Sequence, residues 1–307
     1  MNNKNFKLAF TDNTVFAGID AEGFYSAALL TGKSSSTFKL VPNVKSKIKL
    51  AKLDLGNILQ DADCTFNATG EGTLSQKSFE VEPIKINLSY CKRTFETDYL
   101  SQLMRPGSNN AEVMPATIEN YLLSQVAKQT SNDLEKITWS GDTASVTYPL
   151  MRADGLVKKF LADAAVIDVP TPVALTVSNI VTEMGRVYNL IPATIINKED
   201  LVIYVSSAAW KLYKQALATA SAEVNFMQAY NELYYLGVPV LEAPGLANGR
   251  MVAAQKSNLV LLTDLVSDFE EVQVLPQGNV TGEPTVRMVG EFKFGVDYIY
   301  GSEIVLY

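Results

Sequence analysis

The 307-residue sequence predicts an α+β fold on three observations. Residues 44–50 alternate strictly between lysines and mostly apolar side chains, the period of two that marks a strand. Residues 112–137 carry apolar side chains at three- and four-residue spacing, the pattern of a long amphipathic helix. From about 173 onward helical and strand-like segments alternate, and the chain ends in a strand rich in aromatic residues.

Residues 1–32 mix Asn, Gly, Ala and aromatics with no sustained period, which predicts an extended arm with one short helix near 21–30. Lys33-Ser34-Ser35-Ser36-Thr37 then separates the arm from the first strand. In Val44-Lys45-Ser46-Lys47-Ile48-Lys49-Leu50 three lysines share one face, and residues 33–52 hold six lysines and no acid, so that face is a basic stripe. Gly70-Glu71-Gly72 is a turn signal, expected to join a second pair of strands. Phe79 and Val81 share one phase, whereas Ile84, Ile86, Leu88 and Tyr90 share the other; the slip at Pro83 predicts a β-bulge. Residues 33–95 therefore predict a long twisted β-hairpin system. A hairpin of that kind is barely stable alone in water, so it must lie on another surface.

The long helix follows. Ser108-Asn109-Asn110 supplies capping residues, and Glu112 and Pro115 suit a first turn. Ile118, Tyr121, Leu122, Val126, Leu134 and Ile137 recur on one face, and a helix over 112–137 runs roughly 39 Å before Gly141 stops it. Residues 173–190, bounded by Pro170, Pro172 and Pro192, predict a second helix. Leu201-Val202-Ile203-Tyr204-Val205 predicts a buried strand, followed by a helix through Trp210, Leu212 and Leu217 and a loop over 219–225. Strands at 238–241, 251–254 and 259–262 precede the closing strand, in which Met288, Phe292, Phe294, Val296, Tyr298 and Tyr300 share a face.

Composition narrows the chemistry. The chain has no histidine, which excludes Ser-His-Asp and Cys-His catalysis, His-ligated zinc and a histidine general base. Cys64 and Cys91 are too few for a zinc framework or a disulfide scaffold and read as free thiols of a reducing compartment. A net charge of −7 and a pI near 4.9 argue against general attraction to nucleic acid or anionic membrane. No run reaches about 18 apolar residues and the first residues hold no signal-peptide core, which predicts a soluble protein made in the cytoplasm. Gly32-Lys33-Ser34 resembles the end of a phosphate-binding loop. Position 27 is alanine where that motif needs glycine, however, and a strand pattern replaces its helix. The pairs Glu80/Glu82, Asp163/Asp168 and Glu270/Glu271 lack a nearby nucleophile and read as solvated surface. No catalytic, cofactor-binding or metal-ligating residue is assigned. The most informative charged feature is the stripe of Lys45, Lys47 and Lys49, which either stays solvated or meets an acidic surface on a neighbouring copy. The lysine-free run holding Asp264, Asp268, Glu270 and Glu271 is the candidate partner, with Gly70, Glu71 and Gly72 as further contact residues.

The order of elements, with Trp139-Ser140-Gly141-Asp142 after the long helix, a strand-then-helix over 201–213 carrying Trp210, Leu236-Gly237-Val238-Pro239-Val240 and a terminal strand opened by Val286-Arg287, resembles the major capsid proteins of tailed bacteriophages, of the Hong Kong 97-type fold. The resemblance implies an N-arm (1–32), an E-loop (33–98), a peripheral domain (99–164 with 285–307, its spine helix at about 112–137) and an axial domain (165–284). It implies that Thr219, Ala220, Ser221, Ala222 and Glu223 lie in a loop near the capsomer axis. It further implies a virion protein that assembles with itself into hexamers and pentamers around double-stranded DNA. Expected partners are a separate scaffolding protein, a portal and decoration proteins, with no membrane. An encapsulin-like nanocompartment shell is the runner-up reading, and a carboxylate-based hydrolase a distant third.

Overall fold

In chain order, the computed structural model contains β1 (Thr14–Phe16), β2 (Lys39–Val41), β3 (Ile48–Leu55), β4 (Gly72–Phe79), β5 (Glu82–Cys91), α1 (Pro115–Ser140), α2 (Leu156–Ala162), β6 (Ile167–Asp168), α3 (Ile180–Asn189), β7 (Leu201–Val205), α4 (Ser207–Ala220), β8 (Leu233–Tyr235), β9 (Val238–Glu242), β10 (Met251–Gln255), β11 (Leu259–Thr263), β12 (Val272–Pro276), β13 (Thr285–Tyr298) and β14 (Val305–Leu306). It describes residues 14–16, 32–55, 59, 72–91, 115–220, 233–264, 272–277, 283 and 285–307.

The unbroken apolar run of β7 is explained by its place inside a six-stranded sheet of order β6-β14-β10-β7-β9-β8, covered on both faces. Leu201, Ile203 and Val205, with Met251 and Ala253, pack toward α3 and α4. Val202 and Tyr204, with Val252 and Ala254, join a core that also holds Trp139 of α1, Leu156 and Phe160 of α2, and Phe292, Phe294 and Val296 of β13. A second sheet runs β1-β12-β13-β11-β2. Its long strand β13 pairs with β5 on the other edge, so that Phe294 faces Glu82 on one side and Thr263 on the other. The third unit is the antiparallel ribbon β3–β4, which pairs with no other strand among the described residues.

Several sequence expectations change. The hairpin forms between β3 and β4, with Leu55 opposite Gly72, so Gly72 opens a strand instead of making a turn; Gly70 and Glu71 lie outside the described residues. The strand carrying the lysines starts at Ile48, not Val44, because Asn43 takes a positive φ of 65° and Val44 turns inward to donate to the Thr263 carbonyl at 3.1 Å. Lys45 and Lys47 therefore precede the strand, and only Lys49 lies in it. The phase slip near Pro83 is no bulge: the chain leaves one sheet at Phe79 and enters another at Glu82. At this crossing Gly295 leaves room for the backbone, since a Cβ there would sit 2.3 Å from the Glu80 carbonyl oxygen.

The long helix begins at Pro115, a residue suited to a first turn because its missing N–H has no partner there anyway. It ends at Ser140, where Gly141 passes so near Ala153 and Ile137 that a Cβ would meet their carbonyls at 2.2 and 2.6 Å. The second helix begins at Ile180 because the Asn179 side chain accepts from the Thr176 amide and donates to the Ala174 carbonyl, satisfying a non-helical approach. The helix α4 continues through Ala220, so Thr219 and Ala220 are helical and not loop. Leu236 and Gly237, with φ of 45° and 85°, make the tight turn between β8 and β9, the geometry that matches strand twist. The chain does not close on its aromatic strand either: after β13 it crosses back, and β14 inserts between β10 and β6.

Candidate functional site at the hairpin root

The place where β3 and β4 leave the body is built from a small apolar wedge and a charged network. Phe79, fully buried, packs with Val44, Val260 and Leu262, and Ile48, Leu50 and Val81 lie against this cluster. Lys77 shares the body-facing side of β4 with Phe79, by the two-residue period of a strand. Its Nζ reaches Asp297 Oδ1 at 3.0 Å and lies 3.1 Å from the centre of the Tyr298 ring. Lys159 of α2 reaches the other oxygen of Asp297 at 3.0 Å and donates to the Val296 carbonyl at 2.6 Å. The Tyr298 hydroxyl donates to Asp163 Oδ2 at 2.6 Å. Two lysines thus share one buried aspartate, a pairing that offsets the cost of its desolvation. Burial pushes the Lys77 ammonium below its ordinary value of 10.5, and the Asp297 charge recovers only part of that. Burial, and then the Asp163 hydrogen bond, push the Tyr298 hydroxyl up. On the surface Lys47 pairs with Glu80, and that ammonium holds the Glu80 carboxyl below its usual range.

A second junction ties the start of this segment to α1. Glu135, buried on the helix, accepts from the Ser34 and Ser35 amides at 3.3 and 3.2 Å and from the Ser34 hydroxyl. The Trp139 indole donates to that same hydroxyl at 2.6 Å, and its ring stacks edge-on with Phe38 at 5.6 Å. The loop that resembles a phosphate cradle thus holds an internal carboxylate: the Ser34 and Ser35 amides are taken, and a 3-10 turn, Ser35–Thr37, follows in place of a long helix. Lys33 turns away to pair with Glu242. Beside this junction lies a cavity of about 390 Å³ between Gly32, α1 and Pro244–Gly245.

No protein-family model matches the sequence, and no curated protein does. Solved structures do match in shape. A chain of the procapsid of satellite phage P4, a structure that includes the size determination (Sid) protein, aligns with a TM-score of 0.59 at 14% identity over 93% of this chain and 97% of that one. The capsid of the empty GTA particle aligns at 0.59 and 14%, over 92% and 89%. The capsid of Myoviridae phage XM1 aligns at 0.55 and 11%, over 97% and 93%. The fold is that of phage capsid proteins.

Within this capsid fold the residues singled out from sequence are scattered. Lys45, Lys47 and Lys49 are all exposed; the Lys45 carbonyl accepts from Lys293 Nζ at 3.0 Å, and Lys47 is held by Glu80. Asp264 is no surface partner for them. It is buried, 1% exposed, and accepts from the Lys293 amide at 2.8 Å, fixing the end of β11 against β13. Asp268, Glu270 and Glu271 lie outside the described residues, as do Ser221, Ala222, Glu223 and Cys64, whereas Cys91 is exposed at the end of β5. Among the described residues no three acidic, histidine or cysteine side chains come together as a metal site, and no helix is long and apolar enough to cross a membrane. Sequence reasoning missed Lys77, Lys159, Asp297 and Glu135, and read Asp163 as solvated surface although it accepts from the Tyr298 hydroxyl. The one available signal was Glu135, an acid set among Leu134, Ile137 and Trp139 on the apolar arc of its helix.

Proposed function

We propose that this chain is a major capsid protein that assembles with itself into hexamers and pentamers of an icosahedral phage head enclosing double-stranded DNA. The supporting observation is a capsid fold over nine-tenths of the chain, joined to a ribbon, β3–β4, that pairs with no other strand among the described residues. In this reading the ribbon is the E-loop, α1 the spine helix of a peripheral domain, and the sheet around β7 the axial domain, with the loop after Ala220 near the capsomer axis. Arm and ribbon lie across adjacent subunits, and large buried areas with matched charge hold the lattice. The function is association, with no catalytic step. Lys45, Lys47 and Lys49, all exposed, offer positive charge to a neighbour, and the acidic run after Asp264 remains the partner surface. Containment of DNA needs no tight phosphate binding, so an acidic subunit suits it. A scaffolding protein, portal and decoration proteins complete the particle, which forms in the host cytoplasm. Electron microscopy of the purified protein, with size-exclusion chromatography alongside, tests the proposal. Closed shells or rings of five and six subunits are expected, and a monomer that stays single under crowding and with co-expressed phage assembly proteins overturns it. Nucleic acid inside the shells distinguishes a phage head from a compartment filled with protein cargo.

A further inference from the structure

The ribbon β3–β4 pairs with no other strand among the described residues, so its direction is set by the few contacts at its root. Those contacts are unequal. Phe79 and the Glu80–Gly295 crossing sit at the base, where they form a pivot. Outward along β4, Gln76, Ser75 and Leu74 are all exposed. Lys77 lies between; among the described side chains of β4 it is the outermost that reaches into the body, and so it acts with the longest lever from the pivot. We propose that Lys77 is the positioning residue that fixes the angle at which the hairpin leaves the body, through its ion pair with Asp297 and its seat on the Tyr298 ring.

The network itself shows that this role is separable from folding. Asp297, 8% exposed at its side chain, is bonded by Lys159 as well as by Lys77, and the Tyr298 hydroxyl has its own acceptor in Asp163. Loss of Lys77 leaves the buried aspartate still paired and the tyrosine still satisfied. Replacement of Asp297 instead strands Lys77 and Lys159 without their shared carboxylate. Lys77→Met also keeps an unbranched apolar stem over the ring, so the variant removes the charge and little else.

The inference rests on the capsid reading only where assembly is the readout, and the first measurement avoids assembly. Spin labels placed at Leu74→Cys on β4 and Lys211→Cys on α4, in a Cys64→Ser, Cys91→Ser background, report hairpin direction in dilute single subunits by pulsed electron resonance. A single narrow distance distribution is expected. In Lys77→Met the share of molecules with the hairpin swung away rises about tenfold. Lys77→Arg, which keeps the charge and can stack on the ring, restores the narrow distribution, and the melting temperature stays within about 2 °C throughout. A narrow distribution in Lys77→Met overturns the proposal. So does a Lys77→Met variant that melts far lower and is not rescued by arginine, because Lys77 is then an ordinary core residue. Electron microscopy of the same variants supplies the second arm: closed shells fall about tenfold in Lys77→Met and return in Lys77→Arg. Failure of the unaltered chain to form shells, with the hairpin distances as expected, removes the capsid reading and leaves the positioning role standing.

Discussion

The strand β7 is laddered to a neighbour on each side, whereas among the described residues the strands of the ribbon β3–β4 are laddered only to each other, and the two units are stabilised in opposite ways. All five residues of β7 are buried, with α3 and α4 on one face and the Trp139 core on the other. In β4 the only fully buried side chain among the described ones is Phe79, at the root, while Leu74 stands 64% exposed. Hydrogen bonding alone does not decide where a strand sits; apolar burial at roughly 25 cal/mol per Å² does. The body keeps its strands by packing. The ribbon is held at one end, and the described side chains of β4 beyond Lys77 are exposed.

The largest effect that sharpens this contrast belongs to the body. Trp139→Ala should cost about 3–5 kcal/mol, by loss of a fully buried ring and of the donor to Ser34. Urea unfolding followed by circular dichroism checks it, and a cost under about 1 kcal/mol would place the main core elsewhere. Changing Lys45, Lys47 and Lys49 together to Glu should abolish shell assembly and leave the subunit folded. The Lys47–Glu80 pair that this breaks is exposed, and such pairs contribute about 0–1 kcal/mol. Normal shells from the triple variant would sink charge pairing as the hairpin's mode of contact.

Acid should weaken the junction beside the ribbon. Burial pushes the Glu242 carboxyl up, but hydrogen bonds from Lys33 and Ser207 and the Lys33 charge outweigh it and hold the group below its ordinary 4.5. Its folded-state value is depressed, so its stabilisation is present above pH 4.5 and is lost as pH falls below it. Melting temperatures of the unaltered chain and Glu242→Gln should therefore differ at pH 7 and converge toward pH 3; a constant gap refutes the assignment. The smallest effect belongs to the ribbon's outer surface. Leu74→Thr should change subunit stability by no more than about 0.5 kcal/mol while reducing assembly yield. Side-by-side chemical denaturation and shell counts separate the two.

What sequence reveals here follows the range of the forces involved. The stop at Gly141, the burial of Leu201–Val205 and the alternation of β13 are local and were legible, since periodicity reports which faces meet apolar surroundings. Alternation announces a strand without naming its partner, which is why Gly72 read as a turn although it pairs with Leu55. The root network was invisible for the same reason. Lys77 and Asp297 are 220 positions apart, and each alone looks like any surface charge until β4 and β13 are brought together. Asp264 misled because an acidic run without lysine or arginine suggests solvent, whereas this aspartate caps a buried strand end.

The sheet around β13 also governs the timing of synthesis. β1, β2 and β5 pair only with β12, β11 and β13 among the described residues, so each waits for partners encoded some 200 or more residues downstream. At about 5–20 residues per second the ribosome takes roughly 10–40 s to deliver them. Until Asp297 leaves the exit tunnel, Lys77 has nothing to grip and the ribbon has no defined direction. The root of the ribbon is therefore completed only after β13 has been translated.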